Sequence, residues 1–439
     1  MTRWLIRAAW IAALASLPII VAWLAYGRIT SRLRTNSAWC WFSDPRALRV
    51  DNWLIVGSVD TTGYTRVDVV SVQADRVENS TKLSTDTEVD DHNTPSLLQL
   101  QDGRFLAAYA RHSRDHFWCS RFGLLNETTG EMAWSEEQHN PVEATVTYSN
   151  LFQLEKEGGR IYNCFRGLNF NPTFSFSDDN GETWSEPRLL MRTGDGRTRP
   201  YLKYCCDNQQ RIDFFYTEAH PRDFSTSIYH LYYEAGKLHH SDGTSVADLV
   251  SSNAISPEAG TRVFDGSEHR AWVWDIKRYA QGILAGVFVV SHDGPIGRDL
   301  RYYHALWNGG LWKVQFLAFA GSHLYEPENH YAGGIVLDAR DPNRVFLSCN
   351  CQPHDAKQAL NGYRLFEGNK SSANESWSFT PIAKGHAGDQ IRPYACDDNL
   401  LWLQGYYAKY TEFRTRVHWT KIKSVVPIPT AIPAAAVTE

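Results

Sequence analysis

The sequence predicts an all-β fold, a seven-bladed β-propeller preceded by one N-terminal membrane-targeting helix. Three observations predict it. Aromatic residues are abundant (16 Trp, 21 Tyr, 20 Phe) beside 3 Met and 30 Gly, a bias toward strand and turn formers. A strand, turn, strand unit recurs seven times. An uncharged apolar run lies near the N-terminus. The balance of 44 Lys+Arg against 49 Asp+Glu, a net charge of −5, argues against general nucleic-acid binding, which needs a basic field. An anionic ligand must therefore find a local basic pocket.

In chain order, residues 8–26 carry no charge, with Arg3 and Arg7 before them and Arg28, Arg32 and Arg34 after. The run exceeds the roughly 7–15 residues of a signal-peptide core and approaches the about 20 that span a bilayer. Residues 1–36 are thus read as a membrane anchor, with a cleaved signal as the alternative. The remainder is read as exported, held on the periplasmic or extracellular face of a membrane or secreted. Residues 37–424 form the propeller and 425–439 a Pro/Ala-rich tail.

Eight cysteines are an even number, compatible with disulfides after export, and their pairing is not legible. Cys349-x-Cys351 with His354 nearby lacks the usual two-to-four-residue zinc spacing. No cofactor is required, and a structural metal ion stays unassigned.

The repeating unit is clearest at Ser96-Leu-Leu-Gln-Leu-Gln-Asp102-Gly103-Arg104-Phe-Leu-Ala-Ala-Tyr109. Alternating apolar runs flank a turn of Asp, Asn or Gly, which is hairpin chemistry. Matching turns fall at Asp51-Asn52, Gly158-Gly159-Arg160, Asp207-Asn208, Ala280-Gln281-Gly282, Asp341-Pro342-Asn343 and Asp397-Asp398-Asn399. Steps of roughly 50–70 residues suit four-stranded blades, each needing neighbours to bury both sheet faces. Arg199-Pro200-Tyr201 and Arg392-Pro393-Tyr394 echo one another before two of these turns. Ser177-Asp-Asp179-Asn-Gly181-Glu-Thr183-Trp184 reads as an Asp-box. Its polar side chains bond the turn backbone, Gly supplies positive φ, and the role is structural.

Propeller sites lie at one mouth of the central channel, lined by several blades. The candidates are therefore polar clusters beside the hairpins: Asp90-Asp91-His92-Asn93, Arg111-His112, Thr147-Tyr148-Ser149-Asn150 with Arg166, and Arg199-Pro-Tyr201 with Tyr216-Thr-Glu218-Ala-His220-Pro221-Arg222. His92 and His112 flank one strand pair, so both point to one end of a blade. This set suits proton removal α to a carboxylate. Arg or a protonated His neutralises a uronate, one side chain takes the C5 proton, and another donates to the departing O4. Taken singly, each residue has a structural alternative: a hydrogen-bonding cap for the histidines, a blade seal for Tyr148 and Arg166.

These motifs, with Ile161-Tyr-Asn-Cys-Phe-Arg166-Gly, Ile228-Tyr229-His230 and Glu328-Asn-His330-Tyr-Ala-Gly-Gly334, resemble the BNR-repeat proteins that include the propeller-fold ulvan lyases. The resemblance covers roughly residues 50–405. It implies a polysaccharide lyase cleaving a uronate-containing polymer, sulfated and ulvan-like in the characterised lyases. It implies His92 and His112 as the two catalytic histidines, Tyr148 as the catalytic Tyr and Arg166 as the carboxylate-binding Arg. Tyr148 and His92 would be base and acid in an order left open. Asn93, Arg199, Tyr216 and His220 would bind substrate, together with Arg222, Tyr229 and His330. The partners so implied are an acidic polysaccharide or oligosaccharide and, through the N-terminal segment, a membrane. The oligomeric state is not legible. Two other readings stand beside the lyase: a non-catalytic glycan-binding surface propeller, and a sialidase-like hydrolase built on Arg111, Arg166, Arg199 and the Tyr216/Glu218 pair.

Overall fold

Seven sheets of four to six strands close into a ring in the computed structural model, which describes residues 31–33, 35–193, 198–249, 253–292, 299–328, 330–382 and 388–423. The helix expected over residues 8–26 and the tail from 425 lie outside the described residues. Among the described residues the regular elements are strands and short 3₁₀ turns, with no helix long and apolar enough to cross a membrane.

Each blade runs outward as an antiparallel meander. Blade 2 uses Ser96–Gln99, Phe105–Tyr109, Phe117–Leu125 and Met132–Trp134. Blade 3 uses Thr147–Leu154, Arg160–Arg166, Pro172–Ser177 and Arg188–Leu189. Blades 4, 5 and 6 begin at Tyr201–Cys206, Arg270–Arg278 and Ile335–Leu337. All seven sequence-read turns connect the first and second strands of successive blades, so they share one rim. The Asp-box caps the outer strands of blade 3: Asp179 accepts from the Thr183 amide (2.9 Å), Ser177 Oγ from the Gly181 amide (2.8 Å), and Trp184 Nε1 donates to Gly181 O (3.1 Å).

Blade 7 combines Asp389–Cys396, Asn399–Lys409 and Glu412–Lys421 with Ser31–Arg32 as its outermost strand. The propeller therefore begins before residue 37, the boundary read from the sequence. Two residues of strand carry no periodicity, and only pairing with the C-terminal strand defines them.

The first strand of blade 1 is split. Ser37–Ala38 and Ala47–Val50 both pair with Trp53–Asp60. Residues 39–46 between them cross the channel. Trp41 stacks on Trp274 of blade 5 (4.2 Å between ring centres), Phe42 meets Tyr148 of blade 3 and Tyr201 of blade 4, and Trp39 Nε1 donates to Arg392 O of blade 7. Trp39, Trp41 and Phe42 are buried, and each such side chain contributes about 1.5–3 kcal/mol through the area it removes from water. The crossing closes the channel and floors the cavity above it.

A buried ion pair ties the ring shut on that side. Arg392 Nη1 lies 2.6 Å from Asp91 Oδ2, both side chains fully excluded from water, and the Tyr407 hydroxyl donates to the same oxygen at 2.7 Å. The Arg-Pro-Tyr echo is thus unequal in role. Arg392 is committed to Asp91, whereas Arg199 lines the cavity.

Candidate active site

The polar clusters of blades 2, 3 and 4 meet at the rim opposite the seven turns, because each lies just before a first strand or just after a second strand. They surround a cavity of about 170 Å³ lined by His92, His112, Tyr148, Arg166, Arg199 and Tyr201, and further by Phe42, His220, Arg222, Trp272, Glu328, Tyr331 and Tyr410.

Asp90 organises the histidines. It caps the 3₁₀ turn Asp91–Asn93 by accepting from the His92 amide at 2.9 Å. The same carboxylate then receives Nδ1 of His92 at 2.6 Å and Nδ1 of His112 at 2.9 Å. Burial alone would raise its pKa, but the two imidazoles overcome that and hold it well below the usual carboxylate range. The ionised Asp90 orients both rings through Nδ1, which leaves both Nε2 atoms on the far side of the rings, that of His112 against Arg166. Burial, helped by the neighbouring His92, pushes His112 down to about 4, so it is neutral at pH 7.

Tyr148 sits on a β-bulge where the first strand of blade 3 loses register between Thr147 and Asn150. Its φ of 68° is left-handed, an outlier for an aromatic residue. The bulge re-aims the ring to 5.4 Å from that of His92, above Phe42. Burial pushes its phenol well above the ordinary value, so the hydroxyl keeps its proton.

Arg166 ends the second strand of the same blade and is 8% exposed. It donates to the Tyr201 hydroxyl (2.9 Å) and Thr147 Oγ1 (3.2 Å), and Nη2 lies 3.3 Å from His112 Nε2. No carboxylate among the described residues pairs with it. Arg199 likewise lacks an acidic partner among the described residues, and its Nε is buried without a hydrogen bond. Buried guanidinium groups are normally paired, so this corner of the cavity carries positive charge with no carboxylate partner among the described residues.

The opposite wall is balanced. Arg222 pairs with Asp223 and reaches Glu328 at 3.3 Å. His220 packs edge-on against Tyr201 (4.9 Å) and, with burial as the main cause, is held neutral.

Six residues read from the sequence as substrate-binding or as parts of a hydrolase site lie elsewhere. Tyr216 and Tyr229 stack 5.7 Å apart in the apolar core of blade 4, and the Tyr216 hydroxyl donates to Pro257 O. They are cross-strand partners whose alternation faces them away from the channel. Glu218 accepts from the Ser227 amide (3.0 Å) rather than facing the cavity, so the Tyr/Glu nucleophile pair is not assembled there. Arg111 is engaged by Asp115 and Asp86 outside the cavity. Asn93 does not line the cavity either: its Oδ1 accepts the His112 amide at 2.8 Å, which positions that ring. His330 is fully buried behind the lining residues, 4.6 Å from Trp272.

Trp272, Glu328, Tyr331 and Tyr410 are cavity residues to which the sequence reading gives no role. Tyr410 follows the second strand of blade 7 as His112 follows that of blade 2, and blade equivalence was the signal available.

His220, Glu328 and His330 bring three ligand-type atoms within 4.8 Å of one another. They do not suit a divalent cation. His220 Nδ1 accepts the Arg222 amide at 3.0 Å, so the neutral ring carries its proton on Nε2, the atom facing Glu328, and Arg222 already supplies positive charge there. Cys349, Cys351 and His354 form no ligating group among the described residues.

Among curated proteins no sequence matches this one. Solved structures share its fold. An ulvan lyase of polysaccharide lyase family PL25 superposes with a TM-score of 0.64 at 14% identity, over 90% of this chain and 95% of that one. A second structure of that enzyme type, bound to -[GlcA(1-4)Rha3S]-, gives 0.64 at 13% over the same shares. Polysaccharide lyase Uly1 gives 0.54 at 12%, over 91% and 92%. The sequence itself matches the model of the BNR repeat-containing family from residue 53 to residue 320, more than half of its length, and the chain therefore belongs to that family.

Proposed function

We propose that this propeller is a polysaccharide lyase that cleaves a uronate-containing polymer by β-elimination. The observation that carries the reading is Arg166, a buried guanidinium with no carboxylate partner among the described residues, beside two imidazoles and a phenol. A uronate carboxylate would supply the missing anion. Held by Arg166 and Arg199, with His112 beside them, it loses enough charge for its C5 hydrogen to become acidic.

His92 Nε2 takes the C5 proton. The C5–H electrons form the C4=C5 double bond as the C4–O4 bond breaks, and the Tyr148 hydroxyl protonates O4. Solvent then returns a proton to Tyr148 and removes one from His92. The assignment follows from the partners: Asp90, bonded to Nδ1 of His92, stabilises the imidazolium that proton uptake forms, whereas the phenol keeps its proton. Neutralisation by guanidinium means that the reaction as written calls for no cofactor. The fold likeness to ulvan lyases supports this reading, and one of those structures holds a glucuronate-containing ligand.

Incubating the purified full-length chain with ulvan, glucuronan and polygalacturonate tests it. A lyase releases an unsaturated uronate with strong ultraviolet absorbance. New reducing ends without that absorbance would mean hydrolysis, and binding without either product would leave a glycan-binding propeller.

A further inference from the structure

We propose that Phe170 is a stacking platform for the sugar ring next to the uronate. The inference rests on the uronate reading above. Phe170 occupies the turn Leu168–Phe170 that joins the second and third strands of blade 3, on the cavity rim. It is 41% exposed, and among the described residues it is the one exposed large apolar side chain whose ring covers a cavity guanidinium, 5.9 Å from that of Arg166.

Its backbone is costly to hold. Asn169 and Phe170 are both left-handed, with φ of 52° and 59°. Asn tolerates that region, whereas an aromatic residue rarely adopts it. The turn is nevertheless rigidly tied. The Phe170 amide donates to Gly167 O (2.9 Å), the Asn171 amide to Leu168 O (3.0 Å), and Asn171 Oδ1 accepts from the Thr193 amide (3.1 Å). Strain and exposure together, at a well-anchored position, mark a side chain placed for contact rather than for packing.

The chemistry of the ligand follows from the site. A pyranose presents an apolar face of axial C–H groups, which packs on the electron-rich face of an aromatic ring. A uronate held at Arg166 brings the neighbouring unit of the polymer over the rim, where Phe170 offers such a face. On the far side, Tyr410 stands edge-on to His92 at 5.0 Å and Tyr325 lies 6.0 Å beyond it. The cavity therefore opens between aromatic walls, in line with a chain that extends past the reacting sugar.

The test uses the free uronic acid monosaccharide and oligosaccharides of two, four and six units cut from whichever of the three polymers the full-length protein turns over, or from ulvan if none is. Affinities are measured by calorimetry in a His92→Ala background. Phe170→Ala is expected to weaken the tetrasaccharide about tenfold and leave the free uronic acid monosaccharide unchanged, and Phe170→Trp to stay within about twofold of the parent. Phe170→Gly should lose the same affinity while melting no lower than the parent, because glycine accepts the backbone angle. Unchanged tetrasaccharide affinity in Phe170→Ala, or equal losses for both ligands, overturns the platform while the uronate reading stands. Absence of binding to any uronate by the unsubstituted protein overturns both.

Discussion

The imidazoles of His92 and His112 lie face to face, ring centres 4.2 Å apart and planes inclined by 14°. Two like rings hold this stack because one carboxylate, Asp90, grips both Nδ1 atoms. The pair thereby turns both Nε2 atoms away from Asp90, that of His112 beside Arg166.

Asp90→Asn should separate positioning from folding. An amide offers one acceptor where the carboxylate offers two, so at least one ring loses its fixed tautomer. We expect kcat to fall about 10²-fold with little change in KM, while the turn keeps its cap, because the Asn carbonyl accepts the His92 amide as the carboxylate does. An unaltered kcat at neutral pH would remove Asp90 from the mechanism.

Tyr148→Phe and Arg166→Lys should fail differently. The first deletes the O4 proton donor, lowering kcat by roughly 10²–10⁴-fold while oligosaccharide affinity persists. The second keeps the charge but loses the planar fork, and affinity and kcat/KM should fall together by about 10²-fold or more. Calorimetry beside steady-state kinetics distinguishes the two patterns.

Acid should destabilise the fold through His112. Its value drops from 6.5 to about 4 on folding, so the unfolded chain binds more protons between those limits. Stability therefore rises with pH across that window and is lost as pH falls from about 6.5 to 4, by on the order of 2–3 kcal/mol for this group. Melting curves from pH 7 to pH 4 check it, and His112→Gln should flatten the slope.

Asp91→Ala leaves Arg392 buried and unpaired, which costs about 3–5 kcal/mol. Denaturant unfolding should show that loss. Asp91→Ala combined with Arg392→Met should recover part of it, since the uncompensated charge is gone.

Asp179→Ala provides the opposite control. It removes three hydrogen bonds from the Asp-box turn and should lower stability by about 1–2 kcal/mol. Turnover per folded molecule should stay at the parental rate, because the turn lies on the outer strands of blade 3.

Most of the ring could be read along the chain. Hairpin chemistry at Asp102-Gly103 or Asp397-Asp398 is written in adjacent residues, and the strands on either side alternate with period two. Seven such turns imply seven blades, and the polar groups flanking them, His92 with His112 and Tyr148 with Arg166, imply a shared rim. The misreadings have one origin. Tyr216 is polar, aromatic and close to His220 in sequence, yet a one-residue alternation aims it into blade 4. Asn93 adjoins His92 but serves the backbone of His112.

Local patterning was thus sufficient for fold class, blade number and the rim that carries polar side chains, since turn and strand preferences act over a few residues. It was insufficient for the orientation of each side chain, for Glu328 and Tyr410 as walls, and for residues 39–46 closing the channel. Those features depend on contacts between blades far apart in the chain, and they exist only once packing has set each blade's rotation about the common axis.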